Sequence, residues 1–273
     1  VKNYNGSIIV DSSLNNSNDI EIVVTAVDNS LNSSDKSNSI KIDTTAPRIN
    51  ISYDNNNPEN NTFFKDNRTA TIVVTERNFN PDDVNINITN RNGTTPTVSA
   101  WRKSDGSGNL DDTRWTANIT YSADGDYSFD IGYTDLAGNV CRQINYASST
   151  VAGEEFTIDK TIPLINVSYD NNSAKNTNFY KEGRRATITI IERNFNASGV
   201  EIDLTASDDG RPSSLPTISG WSSNGDRHTA TINYVDDGLY SFDIRYTDQA
   251  ANVAEKFQKQ TFYVDKTKPS LKI

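Results

Sequence analysis

Sulfur and imidazole are nearly missing from this chain: its 273 residues include one Cys, one His and no Met. The single Cys141 excludes an intrachain disulfide. It also excludes a thiolate zinc cluster, which needs several ligands at set spacings. The single His228 excludes a His-rich metal site. Apolar residues are scarce at 34 %, against roughly 45–50 % in ordinary globular chains. No apolar run approaches the ~18–20 residues of a membrane span, so no membrane insertion is expected in this segment. No basic-then-apolar leader opens the chain, and any signal peptide is expected outside it. Positive charge is also short, with 26 Lys+Arg against 36 Asp+Glu and a net charge of −10. Without a basic face to neutralise phosphates, nucleic acid is not an expected partner.

Aromatics, by contrast, are plentiful: 12 Tyr, 10 Phe and 3 Trp. A disordered acidic chain lacks such residues, whereas small β domains with thin cores use them. Asn is the other abundant residue, 35 in all. It clusters at Asn55-Asn56-Asn57 and Asn171-Asn172. Asn amides bond their own backbone in turns, so these clusters read as loops between strands.

The chain repeats itself. Asp43 to Asn56 (DTTAPRINISYDNN) and Asp159 to Asn172 (DKTIPLINVSYDNN) agree at ten of fourteen positions. Arg68 to Asn80 and Arg184 to Asn196 agree at nine of thirteen, both ending ERNFN. Thr116 to Val140 and Thr229 to Val253 agree at seventeen of twenty-five. Asp265 opens the first motif a third time. Such repeats decide the fold. Residues 44–159 read as one complete unit and 160–265 as another. Residues 1–43 read as the C-terminal part of a preceding repeat, and 266–273 as the start of the next. Length differs between the copies only in stretches rich in Asn, Ser, Gly or Asp, as expected of surface loops.

Within a unit the strand signals have period two. Tyr127, Phe129, Ile131 and Tyr133 alternate with small or polar residues, as do Tyr240, Phe242, Ile244 and Tyr246. Ile49, Ile51 and Tyr53 form a first strand after Pro47, and Ala70–Thr75 a β-branched central one. Val84, Ile86 and Ile88 alternate with Asn. Trp115–Tyr121 precedes an Asp-Gly turn, and Val140–Tyr146 and Phe156–Ile158 close the unit. No helical period is evident. Seven to nine short strands per unit predict an all-β chain of tandem immunoglobulin-like β-sandwiches. Trp101 and Trp221, at matched places, are expected to pack the cores in place of the missing disulfide.

The D-x-T-x-P openings (Asp43–Pro47, Asp159–Pro163) and the Y-T-D-x-A-x-N segments (Tyr133–Asn139, Tyr246–Asn252) resemble bacterial Ig-like tandem-repeat domains of Gram-positive cell-surface proteins. The resemblance covers nearly the whole chain. It implies an extracellular location, cell-surface or cell-wall attached, with a stalk, spacer or adhesin role and no catalysis. Neighbouring repeats are then the first partners. In the alternative, the repeats themselves bind a host surface protein, an immunoglobulin or a glycan. A remoter option is an accessory domain of a secreted glycan-acting enzyme. One departure is Ala251 where the preceding unit has Gly138, which puts the identity of that turn in question.

Asp-x-x-x-Asn occurs at Asp28/Asn32, Asp135/Asn139 and Asp248/Asn252. Two readings are open: a hairpin loop held by Asx turns, or part of a calcium ligand set, since Ca²⁺ takes six to eight oxygens. In an Ig-type sandwich the loops after strands B and F share a pole with the incoming chain. Glu76 and Glu192 end the B strands, and Asp43 and Asp159 stand in the linkers. Asp43, Glu76, Asp135 and Asn139 are therefore candidate metal ligands at one pole. Asp159, Glu192, Asp248 and Asn252 are candidates at the next. Arg77 and Arg193 are alternative neutralising groups.

The remaining singular residues read as structural. Lys65 and Lys181 are edge lysines that block strand addition; a Lys–Asn cross-link beside a buried carboxylate is the alternative. His228 aligns with Trp115, so a shared catalytic role is not expected. Cys141 aligns with Ala254 and fits a small apolar slot. The sequons at Asn50, Asn87, Asn118 and Asn166 follow from an Asn/Ser/Thr-rich composition.

Overall fold

The computed structural model describes residues 5–9, 20–104, 113–143 and 150–273. The chain groups by proximity into two compact units: Val1–Asn56 with Asn67–Phe156, and Asn57–Asp66 with Thr157–Ile273. Among the described residues there are strands and short 3₁₀ turns but no α-helix.

The first unit begins with a hairpin of β1 (Ile20–Val27) and β2 (Ser33–Ile40), closed by the Asp28–Asn32 loop. It leaves Val23, Val24 and Val27 exposed. The strands that follow in the chain are β3 (Arg48–Tyr53), β4 (Phe63–Phe64), whose segment groups with the second unit, β5 (Arg68–Thr75), β6 (Val84–Arg91), β7 (Arg102–Ser104) and β8 (Arg114–Tyr121). Next come β9 (Gly125–Tyr133), β10 (Arg142–Gln143), β11 (Thr150–Ala152) and β12 (Phe156–Ile158). One sheet runs β10-β3-β5-β8-β7. In the other, β9 pairs antiparallel with both β6 and β11. The expected closing strand Val140–Tyr146 is reduced to β10 within the described residues, because 144–146 lie outside them.

The second unit holds β13 (Leu164–Tyr169), β14 (Phe179–Tyr180), β15 (Arg184–Ile191), β16 (Val200–Asp208) and β17 (Arg211–Pro212). It continues with β18 (Ser222–Asn224), β19 (Arg227–Tyr234), β20 (Gly238–Tyr246) and β21 (Gln260–Val264). One sheet runs β13-β15-β19-β18 and the other β14-β21-β20-β16-β17. Lettered in chain order, these are A-B-E-D against A′-G-F-C-C′, the strand order of an immunoglobulin sandwich. The parallel pairing of β14 with β21 has a counterpart, since Phe63 and Phe64 pair in parallel with Thr157 and Ile158.

Period two produces the cores. Strand β5 buries Arg68, Ala70, Ile72 and Val74 and half-exposes the residues between. Strand β20 buries Tyr240, Phe242, Ile244 and Tyr246. Each buried Ile, Val or Phe among them contributes roughly 1.5–3 kcal/mol by leaving water. The tryptophans pack at the edge of the cores rather than at their centre, and Trp221 lies against the buried cluster of the second unit. Trp101 and Trp221 are half-buried and lie 5.0 Å from the rings of Phe79 and Phe195, at the margin. Tyr and Phe fill the centre instead: Tyr121, Tyr127 and Phe156 meet at 4.9–5.9 Å, and so do Tyr234, Tyr240 and Phe262 at 4.9–5.9 Å.

Two arginines finish the cores in a way the sequence did not announce. Arg68 is 2 % exposed, with its guanidinium 3.8 Å above the Tyr53 ring. Arg184 sits 3.7 Å above Tyr169. Each Nε donates to the Asn carbonyl thirteen residues earlier, Asn55 or Asn171, at 2.8 Å. Cation–π contact and a carbonyl bond together offset burial of the charge.

Candidate functional site

The Asp-x-x-x-Asn loops are the local starting point. In all three, one Asp Oδ1 accepts the backbone N–H two and four residues on. For Asp135 these are Ala137 at 2.9 Å and Asn139 at 2.8 Å. For Asp248 they are Ala250 at 2.9 Å and Asn252 at 2.8 Å. Asp28 does the same with Ser30 and Asn32. The Asn amide then donates to the same Asp Oδ2, at 2.8 to 2.9 Å. The loop therefore closes on itself, as the Asx-turn reading expects. The turn is also the same with and without glycine. Leu31, Gly138 and Ala251 all have positive φ (66°, 90° and 61°). The doubt raised by Ala251 is thus resolved: Ala251 accepts a left-handed conformation that glycine adopts freely.

Strands β5 and β15 are each followed by a glutamate whose backbone N–H is held by a neighbouring loop, Thr113 for Glu76 and Asp226 for Glu192. The chain then reverses through ERNFN into a 3₁₀ turn capped by Asn80 or Asn196. That reversal brings Asn78 and Asn194 over the glutamates. The N–H of each donates to Glu Oε1 at 2.7 Å. Each amide donates to the linker aspartate, Asp43 at 2.9 Å or Asp159 at 2.7 Å. The linker aspartate is fixed further. Its Oδ1 accepts from Thr45 or Thr161, and its carbonyl accepts from the Asn139 or Asn252 amide.

The structure therefore brings all eight candidates into two matching clusters. Ligand oxygens of Asp43, Glu76 and Asp135 lie within 4.8 Å of one another, as do those of Asp159, Glu192 and Asp248. Asn139 and Asn252 bridge two members in each case. Asn78 and Asn194 belong to the sites but escaped sequence reading. Their only signal was the repeated ERNFN segment.

Burial sets the electrostatics. Glu76 and Glu192 are each 3 % exposed. Loss of water pushes both up to about 7, and the neighbouring aspartates push the same way against the Asn N–H bond. Asp159 is raised as well, first by burial, with the Asn194 and Thr161 bonds opposing. Arg193 lowers Asp159 and Glu192 only as the last of these influences. Arg77 acts on Glu76 through a backbone hydrogen bond. In the second cluster two buried oxygens have no hydrogen-bond partner, Glu192 Oε2 and Asn252 Oδ1.

His228 packs. Its ring stacks on Phe195 at 4.2 Å, where Trp115 stacks on Phe79 at 5.1 Å. Nε2 lies 2.8 Å from the Glu192 carbonyl, and Nδ1 lies 2.7 Å from Ser223 Oγ. A carbonyl only accepts, so Nε2 carries a proton. The ring is oriented by backbone, not by the carboxylate of a triad. Cys141 and Ala254 fill equivalent buried slots, their N–H groups bonded to Tyr133 and Tyr246. Lys65 and Lys181 are exposed, and Lys65 Nζ donates to the Ala251 carbonyl at 3.3 Å.

Among the described residues no helix is long and apolar enough to cross a membrane. No family model matches the chain, and no curated protein matches it. Solved structures do. The Escherichia coli adhesin FdeC is 18 % identical, with 80 % of this chain and 62 % of that one covered and a TM-score of 0.32. Invasin, described as a bacterial integrin-binding protein, is 12 % identical, with 92 % and 46 % covered and a TM-score of 0.41. Domains 4–9 of the surface layer protein SbsC are 12 % identical, with 90 % and 35 % covered and a TM-score of 0.23. The chain thus spans less than two thirds of each. At such values these likenesses assign neither ligand nor partner to this chain.

Proposed function

We propose that this chain is an extracellular, non-catalytic segment of a tandem array, in which each sandwich is a spacer in a surface-displayed protein. One observation carries the reading: the linker aspartates Asp43 and Asp159 are folded into the sandwich that follows them. Asp159 is 2 % exposed and bonded through both its carboxylate and its carbonyl. Pro163, four residues on, is buried, and so is Pro47 after Asp43. Proline and these hydrogen bonds fix the backbone of the linker where it enters the sandwich. Units 44–159 and 160–265, with partial repeats on either side, fit such an array. The exposed valines of the β1–β2 hairpin also suit a fragment of a larger sheet.

Limited proteolysis tests the reading. Trypsin should spare Lys160 in the folded chain and cleave there once Asp159→Ala frees the linker. Rapid cleavage at Lys160 in the unaltered chain would remove the basis for a stiff spacer.

A second reading has one feature in its favour. Phe179 and Tyr263 stack at 4.2 Å and line an open groove of about 780 Å³ with Asp208, Asp209 and Asp237. Exposed aromatic rings of this kind suit a glycan or a host protein, including an immunoglobulin. Glycan-array or host-protein binding that disappears in Phe179→Ala would favour it.

A further inference from the structure

We propose that the cluster of Asp159, Glu192, Asp248 and Asn252 binds a calcium ion. The proposal goes beyond the spacer reading and can fail without it. Three carboxylates within 4.8 Å repel one another unless a cation or a proton intervenes. The donors around them are chiefly neutral N–H groups of Thr161, Asn194, Ala250 and Asn252. Those bonds fix the carboxylates without neutralising them.

The independent observation is the pair of unpartnered oxygens. Glu192 is 3 % exposed and Asn252 1 % exposed, yet Glu192 Oε2 and Asn252 Oδ1 have no donor. Buried acceptors of this kind are rarely left empty-handed. The hydrogen-bond set explains which oxygens remain. Backbone N–H groups occupy Asp159 Oδ1, Asp248 Oδ1 and Glu192 Oε1. The Asn252 amide nitrogen is committed to Asp159 and Asp248, so its oxygen is the free end.

Only oxygens are offered, from carboxylates and an amide, which selects a hard cation over zinc or copper. Calcium–oxygen bonds of 2.3–2.6 Å place opposite ligands about 4.6–5.2 Å apart, and the cluster lies within that span. Both units repeat the arrangement although Trp115 and Gly138 have become His228 and Ala251. Preserved oxygen geometry amid changed surroundings points to the oxygens themselves.

The test uses the whole chain, freed of metal by chelation and then dialysed. Isothermal titration with calcium chloride should show a bound ion that Glu192→Gln removes. Melting in millimolar calcium should occur above the midpoint in chelator. At free calcium a hundredfold above Kd, the unfolding equilibrium should shift about a hundredfold. Terbium luminescence displaced by calcium gives the same answer on the unaltered chain, should Glu192→Gln fail to fold. Absence of calcium heat with an unchanged midpoint overturns the proposal and leaves a shared proton as the occupant. So does calcium uptake unaffected in a folded Glu192→Gln chain. Equal affinity for magnesium overturns the assignment to calcium.

Discussion

The two acidic clusters share the same hydrogen bonds between their Asp, Glu and Asn members, yet they differ in how deeply they are buried. Asp43 and Asn139 are half-exposed, whereas Asp159 and Asn252 are 2 % and 1 % exposed. The internal network is thus independent of the cover. What differs is local. Lys65 and Phe64, from the 57–66 segment that groups with the second unit, bond to the Ala251 carbonyl and the Asp159 N–H. A self-contained network needs only its own loops, while its dielectric depends on what lies against it. The same lesson applies to the aromatic slot, where Trp115 and His228 both stack on a phenylalanine. Flat shape is retained and chemistry is not.

The strongest test of likeness lies in the cores. Phe129→Ala and Phe242→Ala remove matched rings, 3 % and 0 % exposed. Each should cost about 3–5 kcal/mol. Calorimetry should show each substitution lowering one transition and sparing the other. Equal lowering of both would show that the units do not melt separately.

A smaller effect should separate the clusters. Asn252→Ala leaves the Asp159 carbonyl and Asp248 Oδ2 without their amide donor. The expected loss is about 1–3 kcal/mol, since the acceptors stay buried. Asn139→Ala makes the same deletion at the half-exposed cluster and should cost less, because water replaces the amide there. Denaturant midpoints compare them directly, and a larger loss at Asn139 would contradict the burial argument.

Alkaline pH should treat the units alike. Burial pushes Tyr133 and Tyr246 up to about 12, though each hydroxyl accepts an N–H from Asn80 or Asn196. The unfolded chain ionises these groups near 10. Between about 10 and 12 the unfolded state therefore holds fewer protons, and stability falls as pH rises. Ultraviolet titration of tyrosinate should show a late, unfolding-linked step. Full ionisation near 10 without unfolding would reject it.

The smallest effect concerns the turn. Gly138→Ala forces alanine to a φ of 90° and should cost about 1 kcal/mol. Ala251→Gly relieves a φ of 61° and should change stability by under 1 kcal/mol, in the stabilising direction. Chemical denaturation of both variants checks the signs.

Much of this was legible in residue order. Tyr127-x-Phe129-x-Ile131-x-Tyr133 specifies one buried face wherever the strand lies, because alternation is a property of the pleat. The Asp135–Asn139 turn is equally local, with bonds spanning two to four residues. Sandwich poles followed from strand order, so the meeting of Asp43, Glu76 and Asp135 was expected from topology. The depth of the tryptophans was not legible for the same local reason. Their matched places suggested burial, but the loops ahead of β7 and β18 carry them only to the margin.

The rest was decided by tertiary structure. Asn78 reaches Asp43 across 35 residues, and Asn252 reaches the Asp159 carbonyl across 93. Nothing in the order of residues marks one Asn among 35 for that task. Nothing local marks Arg68 and Arg184 for burial until aromatic rings close around them. Lys65 read as an edge guard, and it donates to a turn 186 residues away. The sequence by itself determined strand faces, turn chemistry and the repeated plan, since those depend on near neighbours and on periodicity. Side-chain partners, depth of burial and the two unsatisfied oxygens depended on where twisted sheets carry distant segments, and only the packed chain specifies that.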